Sequence, residues 1–233
     1  MKRLAVLTGA GVSAESGFST FRDAGGLWEQ YDVKDVASIE GWYRNRSLVL
    51  EFYNNLRVQL RDAKPNKAHR IIAELEKNFK VDVITQNVDN LHERAGSTHV
   101  VHLHGELTKV RPESGIYDTT GSEKEVIDVG YDAVNLGDCA PGGSQLRPHI
   151  VFFGEAVPKI ESAIDLVSRA DILLIVGSSL QVYPAAGLYR YAPAGCPIYV
   201  IDPKPVPIPD SRVIFIKDVA TKGMEKFLEM IQE

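Results

Sequence analysis

The chain has 233 residues, 44% of them hydrophobic and 24% charged, with a net charge of −5. That is the composition of a soluble globular protein of one domain, or one domain with an insertion. It argues against nucleic acid or an anionic membrane as partner, and no apolar run approaches the length of a membrane span. Two cysteines, Cys139 and Cys196, can make neither a disulfide framework nor a four-cysteine zinc site, and they fit a reducing cytoplasm.

The chain opens on a short apolar strand, Leu4–Leu7, which breaks into Gly9-Ala10-Gly11-Val12-Ser13-Ala14, of the form G-x-G-x-x-A. A strand feeding a glycine turn and a helix offers backbone N–H groups to a pyrophosphate. On that reading Gly9 allows the turn, Gly11 lets phosphate approach the backbone, and Ala14 permits close helix–strand packing. Gly17 should end the helical run early. Thr20 to Gly26 then reads as a cover over whatever the turn binds.

Residues 41–63 read as one helix, with Leu48, Phe52, Leu56 and Leu60 on one face. Asn66 is a candidate N-cap for a helix over 67–78. A strand over 80–85 runs into Gln86-Asn87-Val88-Asp89-Asn90. Residues 99–110 read as strand, turn and strand around His104-Gly105. Residues 111–146 are rich in Gly, Pro and Asp and suggest a small β-rich insertion. Alternation then resumes with a strand over 149–153, a helix over 158–170 and the apolar strand 171–176. Gly177-Ser178-Ser179 ends that strand. A short helix, strands over 197–201 and 213–217, and a last helix capped by Asp218 complete the chain. The alternation predicts an α/β, Rossmann-like parallel sheet with a small domain formed by two insertions. The expected boundaries are 1–20, 64–108 and 147–233 for the sheet domain, 21–63 for a loop and helical insertion, and 109–146 for the β-rich insertion.

Three polar clusters, Gly9–Ser13, Gln86–Asp89 and Gly177–Ser179, fall at strand C-terminal ends and so share one sheet edge. An acidic residue about 20 positions after the glycines, which a hydride-transfer enzyme uses for the ribose, is missing. His102, His104 and Glu106 alternate as metal ligands on a strand face would, although Gly105 suggests a turn and no further ligands follow. His104, in a polar loop, suits a general base at neutral pH, while His102 suits a satisfied core position.

Together, GAGVSAESGFSTFR, TQNVDNLHERAG, HLHGEL, RPHIVFFGE and VGSSLQVYPAAG resemble, in order and over nearly the whole chain, a sirtuin of the short bacterial kind. The resemblance implies an NAD-dependent protein-lysine deacylase that releases nicotinamide and O-acyl-ADP-ribose. It implies NAD binding by Gly9, Ala10, Gly11, Ser13, Ala14, Phe21, Arg22, Trp28, Gln86, Gly177, Ser178, Ser179, Asp202 and Ala220. Asn87 and Asp89 would hold the nicotinamide ribose and carboxamide, and His104 would be the general base. Phe153, Gly154 and Glu155 would face Val182 and Tyr183 across an acyl-lysine peptide added as a strand.

The chain departs from this family in three places. Sirtuins usually carry a four-cysteine zinc ribbon where this chain has only Cys139, so no zinc is expected. Packing through Tyr117, Val126, Ile127, Val129 and Tyr131 would then hold the insertion. Desuccinylating and demalonylating members resemble F-Y-x-x-R, whereas this chain has Phe52-Tyr53-Asn54-Asn55-Leu56-Arg57. Arg57 either reaches the acyl site one residue late, about 100° further round the helix, or is a solvated surface charge beside a pocket-lining Tyr53. Asp202 stands where Asn is commoner and accepts ribose hydroxyls equally well. Rival readings are a protein ADP-ribosyltransferase, a non-catalytic NAD or ADP-ribose binding module and a metal-dependent hydrolase.

Overall fold

The computed structural model describes residues 1–18, 31–113 and 125–232. In chain order the strands are β1 (Arg3–Thr8), β2 (Lys80–Thr85), β3 (Val100–His102), β4 (Gly105–Pro112), β5 (Ile127–Asp128), β6 (Leu146–Ile150), β7 (Ile172–Val176), β8 (Ile198–Ile201) and β9 (Val213–Ile216). The helices are α1 (Val33–Val36), α2 (Ile39–Arg44), α3 (Arg46–Asp62), α4 (Lys67–Glu74), α5 (Leu91–Ala95), α6 (Ile160–Ser168) and α7 (Ala220–Gln232). None is long and apolar enough to cross a membrane.

Six strands form one parallel sheet in the order β3-β2-β1-β7-β8-β9. All five residues of β7 are buried, as are Leu4 to Thr8 of β1, the pattern of strands covered on both faces. One face packs against α4 and α7 through Ile72, Leu75, Met224 and Phe227. The other packs against α6 and a 3-10 turn over Ala185–Tyr191 through Ala163, Val167 and Leu188. Burying each such side chain stabilises the fold by roughly 1.5–3 kcal/mol.

Strand order reverses direction between β1 and β7, so the switch point lies there. Thr8 is in register with Thr85 on one side and Val176 on the other, so the three central strands end level. The loops that follow them are thereby brought to one edge.

The remaining strands make a separate antiparallel sheet, β5-β4-β6, packed against α3. The expected strand over 149–153 begins earlier, at Leu146, ends at Ile150 and belongs to this small sheet. A bulge in β4 between Gly105 and Val110 shifts the register of this pairing. The β-rich insertion has only two residues of strand among those described, Ile127 and Asp128, plus a bridge between Cys139 and Gln145. Of its expected packing residues, Val129 and Tyr131 sit on the small lobe's core, joined by Val134, while Ile127 is exposed. Tyr117 lies outside the described residues.

The single helix expected over 41–63 is two. Asn45 caps a new start, its side chain accepting the Leu48 N–H at 3.0 Å. On α3 the face carrying Phe52, Leu56 and Leu60 is buried, as expected. Asn66 caps α4 in a reciprocal capping box with His69.

Candidate active site

The glycine turn does not open a long helix. Two 3-10 turns, Ala10–Val12 and Ala14–Ser16, follow β1 and end at Gly17 in the left-handed conformation. The reason for the glycines also differs from the expected one. Gly11 donates its N–H to the Gly177 carbonyl at 2.9 Å, and Gly9 donates to Val176 at 3.1 Å. A Cβ on Gly9 or Gly11 would lie 2.7 Å from Gly177 atoms, and one on Gly177 would lie 2.4 Å from the Val12 nitrogen. The three glycines therefore let two loops touch backbone to backbone across the switch point. Ala14 is exposed and packs no helix onto a strand, which corrects that expectation.

The three polar clusters join into one network. Gln86 donates its backbone N–H to the Thr8 carbonyl at 2.9 Å and its side-chain amide to Ser178 Oγ at 2.8 Å. Asn87 donates its side-chain amide to Ser13 Oγ at 3.1 Å, and Ser13 donates its hydroxyl to Asp89 at 2.9 Å. The second Asp89 oxygen accepts the Leu91 N–H at 3.0 Å. Burial pushes the Asp89 carboxyl up, while these two donors pull it back.

Two histidines under this network went unassigned in the sequence. The Asn66 backbone N–H donates to His69 Nδ1 at 3.3 Å, which leaves the proton on Nε2, facing Ser13 Oγ at 3.5 Å. Burial draws His69 down to about 4, so it is neutral at pH 7. Its ring meets that of His92 at 4.8 Å between centroids, and His92 Nε2 lies 3.1 Å from Thr8 Oγ1. Burial likewise holds His92 well below its ordinary value.

His102 faces two acceptors, the Asn87 carbonyl at 2.9 Å from Nδ1 and the Glu93 carboxylate at 2.8 Å from Nε2. Both ring nitrogens must carry protons to satisfy them, so His102 is an imidazolium. Burial is the largest single influence and pulls it down, but Glu93, Glu106 and the Asn87 carbonyl together raise it. The ring thus pins Asn87 from behind. His104, two residues on, is part-buried and donates Nδ1–H to the Gln86 carbonyl at 3.0 Å. That bond leaves Nε2 as the acceptor, and burial draws His104 below its ordinary value. Glu106 is paired with Lys109 at 2.8 Å. His102, His104 and Glu106 thus turn to three separate partners, and no metal-ligand group forms among the described residues.

Asp202 ends β8, two strands from the glycine turn, and one of its oxygens accepts the Lys204 N–H at 2.8 Å. Ala220 is buried at the start of α7, whose first turn is tied to the 3-10 segment by Glu15, which accepts from the Thr221 N–H and hydroxyl. Ser179 is part-buried on the same edge. Phe21, Arg22 and Trp28 lie outside the described residues.

In the small lobe Tyr53 is 2% exposed and stacks edge-on with Phe52 and tilted against Phe152. Arg57 is fully buried, which overturns the solvated-charge alternative. Its Nε donates to the Leu107 carbonyl at 2.8 Å and its Nη1 to Asn54 at 2.7 Å, while Nη2 has no partner among the described residues. Burial draws it down to about 10, still cationic at neutral pH. Phe153 exposes its ring but commits its backbone N–H to Ala37 and its carbonyl to Ile39. The Glu155 carboxylate is bidentate to Arg147, at 2.7 and 2.9 Å, and accepts the Phe152 N–H. That leaves Gly154 at the exposed tip of the segment. Val182 is part-buried and Tyr183 is exposed.

The donor set at the edge suits a dinucleotide. Amides and hydroxyls at the ends of β2 and β7 are of the kind that pair with pyrophosphate and ribose oxygens, and Asp202 places a carboxylate at the end of β8. Comparison with known proteins agrees. The family model described as Sir2 family matches residues 9–184. A protein of Bacteroides thetaiotaomicron named NAD-dependent protein deacylase is 57% identical over 232 residues, covering 99% of this chain and 98% of the relative. One of Mycolicibacterium smegmatis named NAD-dependent protein deacylase Sir2 is 39% identical, covering 99% of this chain and 97% of the relative. A solved complex of a Sir2 homologue with NAD superposes with a TM-score of 0.86 at 37% identity, covering 99% of this chain and 90% of the other.

Proposed function

Because this chain belongs to the Sir2 family and is an NAD-dependent protein deacylase, we propose that it removes short uncharged acyl groups from lysine, with His104 as its general base. The observation that supports this role is the His104 Nδ1–H bond to the Gln86 carbonyl. It fixes the tautomer, and the lowered pKa keeps Nε2 unprotonated at pH 7.

Bound NAD supplies an anomeric carbon that loses nicotinamide to the acyl oxygen. The chain's own residues do the rest. The glycine contact across the switch point, with Gln86 and Ser178, holds the phosphate end, and Asp202 takes the far ribose. Asn87 and Asp89, each bonded to Ser13, present a fixed amide and carboxylate to the near ribose and carboxamide. Preorganised groups of this kind need no reorientation during reaction. His104 Nε2 takes the ribose hydroxyl proton. Gly154 and Val182-Tyr183 flank the acyl-lysine chain.

Leu56 stands where a carboxylate-binding arginine is expected and is 1% exposed, and Arg57 is turned to Leu107 and Asn54. The acyl pocket is therefore apolar. One observation favours a second reading: Arg57 Nη2, without a partner among the described residues, belongs to a buried cation that a succinyl or malonyl carboxylate would satisfy.

The test is one mass-spectrometric assay with NAD and matched acetyl-lysine and succinyl-lysine peptides. Nicotinamide and O-acyl-ADP-ribose from the acetyl peptide alone is the expected result. Turnover of the succinyl peptide that Arg57→Lys removes would establish the second reading. His104→Ala should lower kcat by roughly 10²–10⁴-fold. The acid limb of the kcat/KM profile should have its midpoint below the ordinary histidine value of 6.5.

A further inference from the structure

A surface groove lies beside the substrate cleft and shares Tyr183 with it. It has a volume of about 280 Å³ and runs between α6, through Ile160 and Ile164, and the 3-10 turn, through Tyr183, Leu188, Arg190 and Tyr191. A second depression of about 210 Å³, lined in part by Glu155, Val157, Ile160 and Glu161, adjoins it and shares Ile160. Both therefore begin at the segments that flank the acyl-lysine chain, Glu155 on one side and Tyr183 on the other.

The composition of the groove is that of a recognition surface. Tyr183 is 68% exposed and Tyr191 is 50% exposed, both beside the aliphatic floor of Ile160 and Ile164. Exposed tyrosine and arginine are the residue types that interfaces concentrate. Arg190 is the charged member. Its Nε donates to the Tyr189 hydroxyl at 3.3 Å, its guanidinium lies 5.6 Å from that ring, and Tyr183 and Tyr191 are near enough to interact with its charge. Among the described residues Arg190 has no carboxylate partner, whereas Arg147, Arg169 and Arg212 each have one. A guanidinium anchored on Tyr189 leaves its other N–H groups for an incoming acid.

We infer that this groove binds the part of the protein substrate next to the acyl-lysine, and that Arg190 selects an acidic side chain there. The inference rests on the deacylase reading of the cleft and adds a sequence preference to it. The charge pattern makes the preference local. The chain carries −5 overall, which disfavours acidic peptides in general, and Glu161 lines the adjoining depression. An acidic residue should therefore help at one position on one side of the lysine and not elsewhere.

The experiment is a scan of acetyl-lysine peptides carrying Glu, Gln or Lys at each flanking position in turn, with nicotinamide release as the readout. The expected result is a single position at which Glu exceeds Gln in kcat/KM by about three- to tenfold. The difference should lie in KM, because Arg190 touches no reacting atom. Arg190→Gln should flatten that peak and leave the Gln peptides unchanged, and Arg190→Glu should shift the preference to Lys. A flat scan, or a peak that survives in Arg190→Gln, overturns the proposal. So does a wild-type dimer in analytical ultracentrifugation that Arg190→Glu dissociates, since a second copy would then cover the groove. No nicotinamide from any peptide would overturn the reading of the cleft itself, and is distinguishable from a flat scan by that absence.

Discussion

The two lobes bury their polar groups in different ways. Beneath the edge of the parallel sheet the groups are mostly amides, hydroxyls and neutral histidines linked to one carboxylate: His69, Ser13, Asn87 and Asp89 form one chain, and Gln86 joins Ser178. The small lobe instead buries guanidinium groups. Arg57, Arg111 and Arg147 are each 7% exposed or less, held by carbonyls and by Glu155, with Arg147 also against the rings of Trp42 and Phe152. A linked network of amides, hydroxyls and one carboxylate gives fixed geometry. Buried charges give a lobe whose stability depends on a few pairs, because removing one partner leaves the other desolvated. The difference assigns preorganisation to the sheet edge and shape to the small lobe.

The sharpest contrast is between two glycines with positive φ. Gly177 has φ 61° and its missing Cβ would meet the Val12 nitrogen at 2.4 Å, whereas Gly137 of the small lobe has φ 99° and open space. Gly177→Ala adds a backbone clash to conformational strain and should lower stability by about 4 kcal/mol or more, with NAD binding lost. Gly137→Ala carries strain alone, about 1–2 kcal/mol, and should leave the Kd for NAD unchanged. Urea denaturation with isothermal titration of NAD measures both. Equal losses at the two sites would show that the edge is no more tightly built than the insertion.

Glu155→Ala comes next. It leaves Arg147 and its cation–π contact with Phe152, 4.2 Å away, without a counter-charge. The expected loss is about 3 kcal/mol. Replacing Arg147 by Met in the same chain should recover most of it. If the double variant is no better than the single, the pair is not what makes this lobe sensitive.

The edge was largely legible in the sequence, and the small lobe was not. The strands β1, β2 and β7 are apolar runs that end in Gly or polar clusters, and their ends stand within a residue of where the pattern puts them. His104 was legible from its loop. The network behind it was not, because His69 reaches Ser13 and His102 reaches Glu93 through space that spacing along the chain does not reveal. Arg57 was illegible for a different reason. A lone charge on a helix is ordinarily solvated, and only the Leu107 carbonyl arriving from β4 makes its burial tolerable. The break at Asn45 did have a signal, an N-cap residue three before Leu48, which the continuing apolar periodicity obscured.

His102→Gln probes the charged histidine behind the edge. Burial lowers His102, but Glu93, Glu106 and the Asn87 carbonyl together leave it above 6.5, so its contribution is full below that unfolded value and lost as pH rises through the folded one. Glu93 is held below 4.5 by His102 against its burial, so its contribution is present above that value and lost as pH falls through the folded one. The pair therefore stabilises between those two folded values. The variant should be about 1–2 kcal/mol less stable than wild type near neutral pH, and the gap should narrow in alkali. A gap independent of pH would mean that His102 is neutral and the imidazolium assignment wrong.

The smallest expected effect separates the lobes most cleanly. The Gln145 side chain ties the outer segment of the insertion together beside its backbone bonds: its amide nitrogen reaches the carbonyls of Asn135, Asp138 and Leu146 at 3.0–3.1 Å, and its oxygen accepts the Gly137 N–H at 2.7 Å. These bonds are partly solvated, and each has a net value near 1 kcal/mol at most. Gln145→Ala should therefore lower global stability by only about 1 kcal/mol. Amide exchange at Gly137 should quicken about tenfold while exchange at Gln86 and Leu91 stays as it was, and kcat should not change. That pattern would place the segment in an opening unit of its own. Faster exchange at Gln86 would instead show that the insertion braces the sheet edge, and the division of labour between the lobes would fail where it is easiest to test.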